Sequence, residues 1–282
     1  MNTLKLRLQL EQFFLEDIGD RDVSSQIFGS SQQGEVHFIA KESGVFCGAD
    51  MIQMGYLVLD PALTCDLFVR DGEKVEAGKL LATVRGAVAS LLKGERVILN
   101  LVQRMSGIAT KTREAVEVLG STNTKICDTR KTTPGLRMLE KYAVRCGGGS
   151  NHRYGLYDGV MLKDNHIAFA GSIAGAVAAV REKVGHMVKV EVETETKEQV
   201  LEAVAAKADV IMFDNRTPEE IREWIRFVPE GIVTEASGGI TMKNLATYRD
   251  TGVDYISLGF LTHSVSALDI SAKVNVDAAV LV

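Results

Sequence analysis

The sequence predicts an α/β protein: an irregular α/β barrel of about six to seven parallel strands, preceded by an α+β sandwich domain. Three observations carry this. From about residue 125 onward a short apolar run, a polar residue at its end and a helical stretch recur as one unit. Strands alternating with helices of that length form βαβ units with parallel pairing. Before residue 105 the pattern is different, with short alternating strands around two helical stretches. Boundaries are therefore expected at 1–105 for the sandwich, with 266–282 available to complete it, and at 106–265 for the barrel.

In chain order, LKLRLQL (4–10) alternates strictly, yet the spacing over 4–17 is read as a helix. GEVHFIAK (34–41) and TCDLFVR (64–70) alternate as half-buried strands, with ADMIQMGYLVLD between them as a helix. Asp71-Gly72 offers a hairpin turn into KLLATVRG (79–86). A long helical pattern over 88–119 follows, with Leu91, Leu92, Ile98, Leu101, Val102 and Met105 on one side and Gly107 expected to interrupt it. Arg96, Asn100 and Arg104 share its opposite side. The barrel strands are KICDT, VMLKDN, VKVEVE, DVIMFDN, IVTEASG and YISLGF. Ile173, Val177, Val180 and Val184 mark one intervening helix, and Ile221, Ile225 and Val228, after Pro218, mark another. Six such runs rather than eight predict a short or irregular closure. Arg130, Lys163, Glu193, Asp214, Ser237 and Gly259 fall at or just past the C-terminal ends of successive strands, where barrel enzymes build their sites.

Composition narrows the function. Across 282 residues the hydrophobic content is 46%, the charged content 24% and the net charge −5, an ordinary globular balance. An acidic total excludes a general nucleic-acid coat, which needs a basic face to displace counterions. No apolar stretch is long enough to span a bilayer, and the N-terminus lacks an apolar signal core. Cys47, Cys65, Cys127 and Cys146 lie far apart, without metal-ligand spacing, and read as reduced thiols of a cytoplasmic protein.

Positive charge is instead concentrated locally. DTRKTTPG (128–135) and RCGGGSNHRYG (145–155) bring together Arg130, Lys131, Arg145, His152 and Arg153, and Lys163 follows. Cations beside apolar strands and glycine loops are costly to place unless something anionic sits there. Gly147, Gly148 and Gly149 would let backbone amides approach that anion. Glu193 and Asp214 can hold ribose hydroxyls, or Mg²⁺ directly or through water, against the plainer reading of an ion pair with Lys131 or Lys163. Glu191 and Glu195 read as solvent-facing or strand-edge charges. ASGGI (236–240), ahead of a helix expected near Thr241, and LGF (258–260) offer phosphate-binding loops. The lipoyl-like stretch VRDGEKVEAGKLLATVRG has no acceptor lysine at its tip, and its hairpin is structural.

Several of these segments resemble the quinolinate phosphoribosyltransferase family. They are GERVILNLVQRMSGIAT (94–110), the block DTRKTTPGLRMLEKYAVRCGGGSNHRYGLYDGVMLKDNH (128–166), VEVET (190–194), IMFDN (211–215), EASGGI (235–240) and SLGFLTHS (257–264), with EDIGDRDVSS near the N-terminus. The resemblance implies an open α/β sandwich plus an irregular barrel, paired as a homodimer. It also implies the conversion of quinolinate and phosphoribosyl pyrophosphate, with Mg²⁺, into nicotinate mononucleotide, pyrophosphate and CO₂. It implies that Arg130, His152, Arg153 and Lys163 bind quinolinate, with Arg96 reaching in from the other subunit. Lys131 and Lys163 would neutralise pyrophosphate, Glu193 and Asp214 would hold ribose hydroxyls and metal, and Ser237, Gly238, Gly239 and Gly259 would hold phosphate. Phe260, after Gly259, and Thr194, beside Glu193, depart from the family pattern. A paralogue acting on another anionic base, of the kind associated with molybdenum uptake, and a non-catalytic phosphometabolite sensor are the competing readings. Retention of every cation in the set favours quinolinate, and retention of both carboxylates disfavours the sensor.

Overall fold

The computed structural model describes residues 1–29, 32–120 and 123–275. The chain divides into two compact units, 1–111 with 138–148 and 265–282, and 112–137 with 149–264. Residues 138–148, which the sequence reading placed in the barrel, thus belong to the first unit.

In the first unit, α1 (Thr3–Ile18) is a helix despite its alternating start, because Leu6, Leu10 and Phe14 recur at helical spacing and are buried. Leu4 and Leu8, which a strand would have turned the same way, stay exposed. Next come β1 (Gln33–Ala40), β2 (Gly44–Val45), α2 (Ala49–Leu59), β3 (Thr64–Leu67), β4 (Lys74–Val75) and β5 (Leu80–Ala87). The hairpin expected at Asp71-Gly72 is divided: β3 does pair with β5, but the segment between them sends β4 to pair with β2. Asp71 explains the diversion, since its Oδ1 accepts the amides of Gly48 and Ala49 at 2.8 and 3.0 Å and caps α2. α3 (Val88–Leu119) runs unbroken through Gly107. A Cβ at Gly107 would sit 2.1 Å from the carbonyl oxygen of Ser266, so glycine serves close chain crossing rather than a break. α4 (Arg137–Cys146) also belongs here, its buried Glu140 receiving the Arg104 guanidinium at 2.6 Å.

The second unit holds β6 (Lys125–Cys127), β7 (Val160–Leu162), β8 (Val190–Thr194), β9 (Val210–Asp214), β10 (Val233–Ser237) and β11 (Tyr255–Ser257). They hydrogen-bond in the order β6-β11-β10-β9-β8-β7, and every pairing is parallel. Ser150 adds a parallel bridge to Cys127 on the other edge of β6, giving the irregular barrel of the sequence reading. The intervening helices are α5 (Asp164–Ala170), α6 (Ile173–Lys183), α7 (Lys197–Ala205), α8 (Pro218–Trp224) and α9 (Phe260–His263). The helix expected near Thr241 is absent. Asn244 Oδ1 accepts the Thr241 amide at 2.7 Å, and only a 3₁₀ turn, Leu245–Tyr248, follows. Finally β12 (Ile270–Asn275) pairs antiparallel with β1, in a first-unit sheet ordered β12-β1-β5-β3. The remainder of the tail, 276–282, lies outside the described residues.

Candidate active site

At the C-terminal end of β6 the chain turns through Asp128, Thr129, Arg130 and Lys131. Asp128 is fully buried. Its carboxylate accepts the His152 amide at 2.8 Å and the Asn151 side chain at 2.6 Å, pinning the loop that carries His152 and Arg153. Arg130 Nε is buried without a protein partner, the state of a guanidinium prepared for an anion. Lys131 is exposed, and its carbonyl accepts the Thr262 hydroxyl at 2.8 Å. A Cβ at Gly259 would stand 2.9 Å from Lys131 Cδ, so the absent side chain leaves that stem its place.

After β7, Lys163 Nζ meets Glu193 Oε2, at the end of β8, at 2.5 Å. This is the ion pair of the plainer reading, formed between half-exposed Lys163 and Glu193 at the outlet of adjacent strands. Asp214 and Ser237 are register partners at the ends of β9 and β10. The loops beyond them interlock: the Asn215 amide donates to the Ser237 carbonyl at 2.8 Å, and Gly238, at φ +78°, leaves no room for a Cβ against Asn215 Oδ1. Gly239 also has positive φ, and L side chains are disfavoured at both. Gly147 and Gly148 differ from expectation. Their amides donate to Ala143 and Arg145 carbonyls at 3.0 Å, closing the C-terminus of α4. Arg96 is exposed on α3, in the first unit.

A second layer lies inside the barrel, two residues before the outlet positions on the same strands. Glu191 and Glu235, read from sequence as a strand-edge charge and as part of a glycine motif, are both buried. His152 Nε2 lies 3.1 Å from Glu191 Oε2 and 3.5 Å from Glu235 Oε2. Its Nδ1 accepts the Arg153 amide at 2.8 Å. A neutral ring accepting at Nδ1 carries its proton on Nε2 and donates it to the carboxylates. That proton leaves no lone pair for a cation, so this His/Glu/Glu grouping reads as a hydrogen-bonded network. The other metal-like grouping among the described residues, Cys47, Asp71 and Cys146, contains the carboxylate that caps α2.

Burial pushes the Glu235 carboxyl up to about 7, the Glu191 charge adds to the rise, and His152 opposes it. Oε1 of Glu191 and Oε1 of Glu235 have no protein partner. Burial beside Arg130 also lowers the pKa of the Arg153 guanidinium, with Glu191 acting the other way, and its Nη1 donates to the Gly159 carbonyl at 2.9 Å. A cavity of about 330 Å³ reaches His152, Arg153, Glu191 and Glu235. Val210, Val233 and Tyr255, the first residues of β9, β10 and β11, line it. Lys131, Lys163, Glu193, Asp214 and Ser237 do not. The predicted site residues are thus divided between an outlet set and a deeper set. Period-two spacing, Glu191 before Glu193 and Glu235 before Ser237, was the sequence signal for the deeper one.

Residues 22–106 match the N-terminal domain model of quinolinate phosphoribosyl transferase, and residues 108–273 match its C-terminal domain model. The chain belongs to the quinolinate phosphoribosyltransferase family. A probable nicotinate-nucleotide pyrophosphorylase (carboxylating) of Bacillus subtilis is 56% identical over 275 residues, covering 98% of this chain and 95% of the relative. Its counterpart in Synechocystis is 45% identical over 251 residues, covering 88% and 85%. Among solved structures, NadC from Streptococcus pyogenes superposes with a TM-score of 0.94 at 41% identity, over 98% of each chain. Membership accounts for the parallel barrel with basic outlet loops and for the antiparallel N-terminal sheet. No helix among the described residues is long and apolar enough to cross a membrane.

Proposed function

We propose that the chain transfers the phosphoribosyl group of phosphoribosyl pyrophosphate to the ring nitrogen of quinolinate and releases the adjacent carboxylate as CO₂, yielding nicotinate mononucleotide and pyrophosphate. The observation that carries this reading is the buried, unpartnered Nε of Arg130 among basic groups at the strand outlets. A dicarboxylate and a polyphosphate supply the charge that such a site lacks. Arg130, Arg153 and Lys163 take the quinolinate carboxylates, with His152 acting through the Arg153 amide that it accepts. Lys131 and Lys163 offset the charge of departing pyrophosphate as preorganised cations. Ser237, Gly238, Gly239 and Gly259 receive phosphate oxygens, and the open space where Gly239 lacks a Cβ admits a close approach. Glu193 and Asp214 hold ribose hydroxyls, and as paired oxygen donors at neighbouring strand ends they suit Mg²⁺. Bound there, Mg²⁺ would neutralise diphosphate charge.

The proposal extends to a homodimer in which Arg96 serves the neighbouring copy's site, and to the cytoplasm, where the four free cysteines stay reduced. Purified protein given quinolinate, phosphoribosyl pyrophosphate and Mg²⁺ should release CO₂ and nicotinate mononucleotide, and chelation should stop it. Arg130→Ala or Lys131→Ala should lower kcat/KM by at least about 10²-fold. Turnover of a different anionic base, with none of quinolinate, would overturn the substrate assignment. Full activity in either variant would overturn the residue roles.

A further inference from the structure

The reaction consumes a proton whose source is unassigned among the roles above. When the C2–carboxylate bond breaks, CO₂ departs and the bonding electron pair stays on C2, steadied by the alkylated ring nitrogen. The product carries hydrogen at that carbon, so C2 must take up a proton. Lys131 and Lys163 are ill-suited donors, because giving one up would discharge the group offsetting pyrophosphate. Lys163 is moreover already engaged with Glu193.

Glu235 and Glu191 occupy the layer beneath the outlet, one strand repeat (about 7 Å) below Ser237 and Glu193. Two buried carboxylates side by side cannot both stay ionised cheaply. His152 Nε2 donates toward both, and both Oε1 atoms remain without a protein partner. The cavity touching this pair has exposed Met187 and Asp158 in its lining, so solvent reaches it. We propose that Glu235 is the proton source of the decarboxylation: its carboxyl protonates C2 through intervening water once CO₂ has left, and water in the cavity reprotonates it. The His152 Nε2–H holds the two carboxyls together. Asp128 and Arg153 are the other charged groups facing them. The pKa of about 7 for Glu235 leaves a substantial share protonated at neutral pH, the range in which a general acid works best.

The assignment rests on quinolinate lying at Arg130, Arg153 and Lys163, and the test separates the two ideas. Pyrophosphate and CO₂ are followed in a single turnover of wild type and Glu235→Gln, with thermal melting as a check on folding. Glu235→Gln should release pyrophosphate within about 3-fold of the wild-type rate while CO₂ formation falls by at least about 10²-fold. Equal losses in both steps would show a structural role and overturn the proposal, as would unchanged CO₂ formation. Should Glu235→Gln not fold, Glu235→Asp keeps an acid on a shorter stem. A CO₂-selective loss of at least about 10-fold then supports the assignment, and equal losses overturn it. A wild-type chain releasing neither product from quinolinate would instead defeat the substrate reading on which the proposal stands.

Discussion

Asp128 Oδ1 accepts the backbone amide of His152 at 2.8 Å, so a fully buried carboxylate after β6 fixes where the next basic loop begins. Its second oxygen takes the Asn151 amide group at 2.6 Å. Asp128→Asn would point one amide nitrogen at another donor and leave a buried polar group unsatisfied, at a cost of about 1–3 kcal/mol. The expected result is a rise of roughly 10-fold in the KM for quinolinate, since Arg153 loses its placement, with a smaller change in the KM for phosphoribosyl pyrophosphate. Steady-state kinetics with each substrate varied in turn checks this. Equal changes in both would mean that Asp128 supports the barrel generally.

The carboxyl pair inside the barrel makes stability depend on pH. Glu235 titrates near 7 in the folded chain against 4.5 for an unperturbed group. The folded state therefore binds the proton more tightly, and this contribution to stability is full below about pH 4.5 and lost as pH rises through about 7. Replacing the neighbouring charge by Glu191→Gln should draw Glu235 downward and flatten the decline. Glu235→Gln should abolish this share of it. Melting temperatures of the three proteins across that interval decide the matter, and parallel profiles would mean that the pair does not share a proton.

The strand frame was legible because each barrel run ends in a polar residue or a glycine where the chain leaves the sheet, from Arg130 after β6 to Gly259 after β11. Local pattern suffices where one strand and one loop decide the outcome. It failed where distant segments compete. Gly107 looked like a helix break, but Ser266, far along the chain, explains it. Asp71-Gly72 looked like a plain hairpin until the α2 amides that Asp71 caps became visible. The Lys163–Glu193 pair is legible, because both residues stand at the outlets of barrel strands. Glu191 and Glu235 were missed because a charge in a strand normally faces water, and only closure of the sheet turns both toward His152.

The proposed homodimer yields the sharpest composition test. Under the proposed roles, Arg96→Ala and Lys163→Ala should each be nearly inactive alone, since each would remove a cation from the quinolinate site. If Arg96 serves the neighbouring copy, a mixed dimer rebuilds one complete site: the Arg96→Ala subunit keeps Lys163 and borrows the intact Arg96 opposite. The other site carries both defects. Random equal mixing makes half the dimers mixed, so roughly a quarter of the wild-type activity should return. If Arg96 instead works within its own chain, both sites of the mixed dimer stay defective and nothing returns. Activity measured after co-refolding, with mixed dimers verified by native mass spectrometry, separates the two. Absence of recovery in verified mixed dimers would remove Arg96 from the shared site.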